Sequence, residues 1–350
     1  MLLFFQHLFK RFLSQLLTFF IITALLYATA MLTPVKSRAT LYLPPRVSEK
    51  TYDTVIANII EKYHLDAPYP VQYYFWMVSL FQGNWGYSPT LNEEVFSAIL
   101  QRAPATAELI LLSILVYIPL GIISGVIAGH RKNRPSDHLF RFSAFTATSL
   151  PPFILAILMM AIFYINLHWF APERFSSQYY SYLHSDQFHG LTGFMILDGL
   201  LNGRPDISLD ALRHLVMPVI TLALAQWATL GRITRATMIE EANQDYVMAA
   251  RARGVTERSI VWQHMLRNAI SPAFSSSMVS AASLLTGVFV SEIIFNYPGI
   301  SYIAVQSMGG IPDAPASLGF AVFSVILVLI LMSILDLVQY SLDPRLREKA

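Results

Sequence analysis

Residues 240–272, EEANQDYVMAARARGVTERSIVWQHMLRNAISP, form the longest polar interval between apolar runs in the second half of this 350-residue chain. Arg232, Arg235, Arg251, Arg253, Arg258 and Arg267 lie in or beside it. Tyr246, Val247, Ala249, Ala250 and Arg253 recur at three- and four-residue steps, which predicts a short helix over about 242–253. Gly254 follows two arginines, as suits a helix C-terminus closed by a left-handed residue. Thr256 is placed to cap a second helix, with Glu257 near its positive end. Ile260, Val261, His264, Met265 and Leu266 continue that helix, and Pro272 is expected to mark a new start. The stretch therefore reads as a helix–glycine–helix hairpin. Its first helix carries Ala249, Ala250 and Ala252 between arginines, and a small-residue helix of this kind can sit in another protein's groove.

The chain around the hairpin belongs in a bilayer. It is 55% hydrophobic and 13% charged, with a mean hydropathy of +0.49, whereas soluble domains carry about 25% charged residues. The absence of cysteine excludes disulfides and thiolate metal sites. Phe12 to Leu32 is uncharged and long enough to cross a hydrocarbon core of about 30 Å. It exceeds the apolar core of a cleaved signal peptide, about 7–15 residues, so it is expected to be a retained first span. Residues 34–104 are polar and mixed, and are expected to fold as a small helical cap.

Leu109 to Gly129 is the expected second span, with Gly121, Gly125 and Gly129 baring one face so that another helix can approach closely. Phe142 to Leu167 contains Pro151-Pro152 and is expected to be a kinked third span. A fourth is expected over about 212–231, with Arg213 and Arg232 snorkelling at opposite faces. The fifth, about 271–291, is rich in Ser, Ala and Gly, which suits a helix packed on all sides or lining a wet path; Ser280, Gly287 and the following Glu292 are its candidate pathway or packing residues. Leu318 to Leu335 is the expected sixth span.

Several stretches carry a family resemblance. Asp245-Tyr246-Val247, Ala249-Ala250-Arg251-Ala252-Arg253-Gly254, His264, Arg267-Asn268-Ala269 and Pro272 resemble the EAA loop of ABC importer permeases, most closely the dipeptide/oligopeptide/nickel branch. The motif's usual glutamate is absent; Val247 or Met248 occupies that region. Leu65-Asp66-Ala67-Pro68 with Gln72-Tyr73, Gly83-Asn84-Trp85-Gly86-Tyr87-Ser88, Arg213-His214-Leu215 with Met217-Pro218 and Thr221-Leu222-Ala223, Glu292-Ile293-Ile294-Phe295 with Pro298-Gly299, and Asp336 with Tyr340 and Asp343-Pro344-Arg345-Leu346-Arg347 are similar to other segments of that family. Asn84 stands where the family more often has Asp.

The resemblance implies a membrane subunit whose loop is a coupling helix docked in a cleft of an ATPase. Tyr246, Ala249, Ala250, Arg251, Arg253 and Gly254 would be its coupling residues. It also implies a second homologous permease, two ATPase subunits that bind ATP and Mg, and an external substrate-binding protein. The implied cargo is a peptide, nickel chelate, sugar oligomer or polyamine, and the implied location is the bacterial inner membrane.

With the N-terminus inside, inner segments hold 15 of the 24 Lys and Arg and outer segments 9, which favours both termini in the cytoplasm. The expected fold is all-α with six transmembrane helices. It divides into 1–33 (N-terminus and first span), 34–104 (external loop region) and 105–350 (permease core with the loop 240–272). No G-x-x-x-x-G-K-[ST] is present, so the chain is not expected to hydrolyse ATP itself, and no H-E-x-x-H or metal-ligand histidine spacing appears. The chain is expected to be a non-catalytic subunit that binds no cofactor, metal or nucleic acid. A self-sufficient ion-driven secondary transporter is the rival reading. Such a protein usually shows mid-membrane charges and an internal repeat, neither of which is seen. A structural or receptor role is disfavoured by the small-residue fifth helix.

Overall fold

The computed structural model describes residues 2–43, 47, 51–309 and 313–342; side chains are described for all of these except 2–8, 30, 41, 274, 276–282 and 338–342. The C-terminal stretch Asp343 to Arg347 lies outside the described residues, as does the side chain of Ser280. The helices in chain order are α1 (Leu2–Ala30), α2 (Val35–Ala39), α3 (Tyr52–Lys62), α4 (Tyr69–Phe81), α5 (Val95–His130), α6 (Pro135–Ser149), α7 (Pro152–Met159), α8 (Tyr180–Leu183), α9 (Met195–Leu201), α10 (Pro205–Glu241), α11 (Asp245–Ala252), α12 (Glu257–Ser259), α13 (Leu266–Ile294), α14 (Ser301–Ser307) and α15 (Ala314–Leu342). Four of these are long and apolar enough to cross a membrane among the described residues, or five if the bent α6–α7 pair is one span.

The chain forms two compact units. In the first, Met1–Pro104 with Gly299–Leu329, Tyr27 stacks on Trp76 at 4.8 Å and packs with Met77 and Val322. The expected helical cap contains α2 to α4 and also a two-residue antiparallel pair, Tyr87–Ser88 with Glu93–Glu94. That hairpin is clamped by Asp313, whose carboxylate accepts from Ser88 Oγ (2.5 Å), Thr90 Oγ1 (2.7 Å) and Thr90 N (3.2 Å).

The second unit, Ala105–Pro298 with Ile330–Ala350, is built around α10. Of its most apolar window 61% is buried, against 11% for α1, so α10 is surrounded by protein whereas α1 presents most of its surface outward. Gly121, Gly125 and Gly129 of α5 lie against it. A Cβ at Gly125 would sit 2.6 Å from the Gly231 carbonyl oxygen and 2.6 Å from Thr234 Cβ, and one at Gly129 would sit 2.7 Å from Met238 Cβ. Only backbone fits there, which is the physical reason for the four-residue glycine repeat.

Several boundaries differ from expectation; α5, for one, begins at Val95, fourteen residues before the expected second span. The fourth span extends ten residues past Gly231, so Arg232 and Arg235 lie on the helix body. Its continuation is stabilised where Arg235 grips the buried Asp137 of α6 through two bonds of 2.5 and 2.8 Å. The third span is broken rather than merely kinked: α6 ends at Ser149, Leu150 is extended, and α7 leaves at 100°. Neither Pro151 nor Pro152 has an N–H to continue the ladder, and the residue before a proline is pushed out of the helical region. Pro272 does not begin a helix. It lies inside α13, which starts at Leu266 and follows a π-helical turn at Ile260–Met265.

Candidate functional site

The hairpin is seated on the ends of α5 and α10. Val247 and Ala250 of α11, with Ile260, Val261 and Met265, bury themselves against Val126 and Met238. These apolar positions fall on one face because residues three and four apart align on a helix. The opposite face of α11 offers Met248, Ala249, Arg251, Ala252 and Arg253 to solvent. Of the expected coupling residues, Ala249, Arg251, Arg253 and Gly254 therefore lie at the surface. Ala250 turns inward at 2% exposure and anchors the hairpin. Tyr246 is half-buried, and its hydroxyl donates to the Glu241 carboxylate at the end of α10.

The turn after α11 is defined by its hydrogen bonds. Gly254 has φ +76°. Its N–H donates to the Arg251 carbonyl (2.9 Å), and the Val255 N–H donates to the Ala250 carbonyl (3.1 Å). These are the two bonds of a Schellman closure, and the hydrophobic contact that accompanies it comes from Val255 packing on the buried cluster. Arg251 Nε then reaches across the turn to Glu257 Oε1 at 2.6 Å. That bond to the Arg251 guanidinium holds the Glu257 carboxyl below the usual carboxylate range. Thr256 occupies the N-cap position, but its side chain makes no capping bond. The first helix starts at Asp245, three residues later than expected, because α10 runs on to Glu241 and a short turn follows.

The hairpin joins two long helices. It is continuous with α10 on one side, a rod of 37 residues and about 55 Å at 1.5 Å per residue. On the other side it enters α13 through the π turn. The exposed α11 face is thus backed by a packed core that seats the hairpin on α5 and α10.

Of the fifth-helix candidates, Gly287 is a site of close approach: a Cβ there would sit 3.1 Å from Leu222 of α10. Glu292 is 1% exposed and accepts from Thr106 Oγ1 at 2.5 Å, so it packs inside the unit and does not present its carboxylate at a surface.

A second buried carboxylate was not singled out from sequence. Glu108 accepts from Arg174 Nη2 (2.9 Å), Tyr297 Oη (3.2 Å), Met195 N (3.2 Å) and Ile196 N (3.0 Å). It pins the 167–204 segment through the first turn of α9. Burial pushes the Tyr297 phenol well above its ordinary range, keeping it a neutral donor. The side-chain partners of Glu108 and Asp137 lie 66 to 189 residues away, so the only local signal was a carboxylate near the end of an apolar run.

Comparison with known proteins is consistent with this architecture. Residues 117–348 match the family described as binding-protein-dependent transport system inner membrane component. The chain is 33% identical over 312 residues to a probable D,D-dipeptide transport system permease protein of Escherichia coli K12, covering 85% of this chain and 86% of that protein. It is 30% identical over 332 residues to a di/tripeptide transport system permease protein of Pseudomonas aeruginosa (95% and 96% covered). It is 29% identical over 343 residues to a dipeptide transport system permease protein of Bacillus subtilis, with 98% of each chain covered.

Proposed function

Because this multi-pass membrane protein belongs to the family of binding-protein-dependent transport system inner membrane components, we propose that it is the peptide-translocating permease subunit of an ATP-driven importer. The observation that carries the mechanism is the α11 face, small and basic, on a hairpin locked to α10 and α13. In this reading residues 105–350 form the permease core and 34–104 an external region. Six spans cross the membrane with both termini inside, α13 being the sixth beside the four long helices and the bent α6–α7 pair. A second permease completes the pathway, two ATPase subunits supply ATP and Mg, and an external binding protein delivers peptide; this chain itself catalyses nothing. Closure of the ATPase pair on ATP shifts the hairpins, and the equilibrium between outward and inward cavities follows. Peptides are favoured over the other cargoes because the relatives named above are peptide permeases.

The test is ATP-dependent uptake of a labelled dipeptide by vesicles holding this chain with its ATPase, second permease and binding protein. Uptake that persists without the ATPase would favour the secondary-transporter reading. Topology is checked on the cysteine-free background: Ser181→Cys should react with an impermeant reagent from outside, and Ala249→Cys only after lysis. Ser88 is unsuitable for that purpose, being fully buried on Asp313.

A further inference from the structure

The break between α6 and α7 opens a groove that no part of the hairpin explains. A cavity of about 400 Å³ lies between the break, α10 and α13, lined by Ser149, Gln226, Thr229 and Ser283. Gln226 and Ser283 also line its continuation along α13. Farther along α6 and α10, Arg141 and Arg232 line a neighbouring cavity. Both arginines are exposed, and among the described residues neither makes an ion pair. An amide and several hydroxyls facing outward from membrane-spanning helices are costly against hydrocarbon, so this face meets water or a polar ligand.

The lining matches a peptide group by group. The Ser149 hydroxyl donates to its own helix at the Phe145 carbonyl (2.8 Å), which leaves its lone pairs to accept from an N–H. Gln226 Nε2 donates to Ser283 Oγ (3.2 Å), leaving the Gln226 carbonyl as acceptor and a second N–H as donor. The waist of the groove is therefore neutral and offers both halves of a main-chain amide pair. The neighbouring cavity is cationic. Gln226 and Arg232 are six positions apart on α10, about 9 Å along a helix axis, and an extended tripeptide spans about 10 Å.

We propose that this groove, with the neighbouring cavity, is a binding site on the pathway for short peptides with a free C-terminus: Ser149 and Gln226 hold main-chain amides while Arg141 and Arg232 hold the α-carboxylate. The site rests on the peptide-permease reading above and adds to it which groups of the cargo the permease reads. Neutral hydrogen-bonding groups tolerate any side chain, so they pass peptides without sequence preference. The two guanidiniums reject a peptide whose C-terminus carries no charge.

The test uses the assembled complex without its binding protein, so that only the permease can select. Thr229→Cys places a reporter thiol in the groove of a protein that has no other thiol. A water-soluble methanethiosulfonate reagent should label it, and trialanine should slow the labelling. Trialanine amide should need about tenfold more to protect equally, as expected when a charge-assisted pair is lost. Arg141→Gln with Arg232→Gln should erase that difference, and the double lysine variant should retain it. An unreactive thiol, a thiol that neither peptide protects, or equal protection by both would each overturn the site. Uptake of trialanine by the wild-type complex with its binding protein, run in parallel, keeps the two readings separable. Failure of that uptake would sink the peptide reading itself, whereas uptake without selective protection would sink only the site.

Discussion

Replacing Gly254 by valine puts a β-branched side chain at φ +76°, in open space. An ideal Cβ there meets nothing within 4 Å, so no clash confuses the outcome and the whole effect is conformational. Holding a substituted residue in the left-handed region costs about 1–2 kcal/mol. Leaving it would break the two bonds from Gly254 N–H and Val255 N–H, each worth about 1 kcal/mol net. The two costs are comparable, so the variant divides between a strained native turn and a turn in which α11 is re-aimed on its seat. The buried contacts of Val247, Ile260 and Met265 are untouched by the substitution, so insertion and abundance should survive. The assay is peptide-stimulated ATP hydrolysis alongside uptake in the reconstituted complex, with assembly measured by co-purification of the ATPase. Gly254→Val should lower the ratio of peptide transported to ATP hydrolysed, or weaken ATPase retention. Gly254→Asn should do so much less, because asparagine enters the left-handed region at lower cost. Wild-type coupling in the valine variant, or equal damage by asparagine and valine, would refute the argument.

Gly125→Leu should lower the thermal midpoint of the detergent-solubilised protein by the equivalent of about 1–3 kcal/mol, the usual cost of overpacking, because its Cβ would overlap the Gly231 carbonyl; an unchanged midpoint would show that α5 and α10 separate freely. Asp137→Asn should cost about 2–3 kcal/mol by the same measurement, since it leaves the Arg235 guanidinium partly buried without its counter-charge, and an effect below about 0.5 kcal/mol would count against the clamp as a support of α10. For Glu257 the folded carboxyl titrates below its unfolded value, so the Arg251 link is fully present above the unfolded value of about 4.3 and is lost as pH falls through the lower folded one. Hydrogen exchange at Val255, corrected for intrinsic rates, should therefore lose protection on acidification in the wild type and show no such loss in Glu257→Gln; identical profiles would remove the link from the account. Both partners are about half exposed, so near neutral pH Glu257→Gln should change stability by less than about 1 kcal/mol.

Properties that depend on neighbours along the chain were legible in the sequence. Long uncharged runs announced membrane helices because hydrocarbon admits only backbone that bonds to itself. The four-residue glycine repeat announced a close helix contact, and Gly254 announced a positive φ, since in each case a missing Cβ is the whole signal. Patterned apolar positions placed the hairpin but could not say which alanine turned inward, because Ala249 and Ala250 are chemically identical and only the seat on α5 and α10 distinguishes them. Helix lengths were misjudged where charge appeared to end a span. Arg235 stays helical because Asp137, 98 residues earlier in the chain, neutralises it in space. Pro272 stays inside α13 although proline so often starts a helix. The Glu108 cluster and the groove at the α6–α7 break likewise join residues far apart in sequence. Such contacts are set by how the helices pack, and a single sequence carries local preference without saying which distant carboxylate, carbonyl or guanidinium will arrive to complete it.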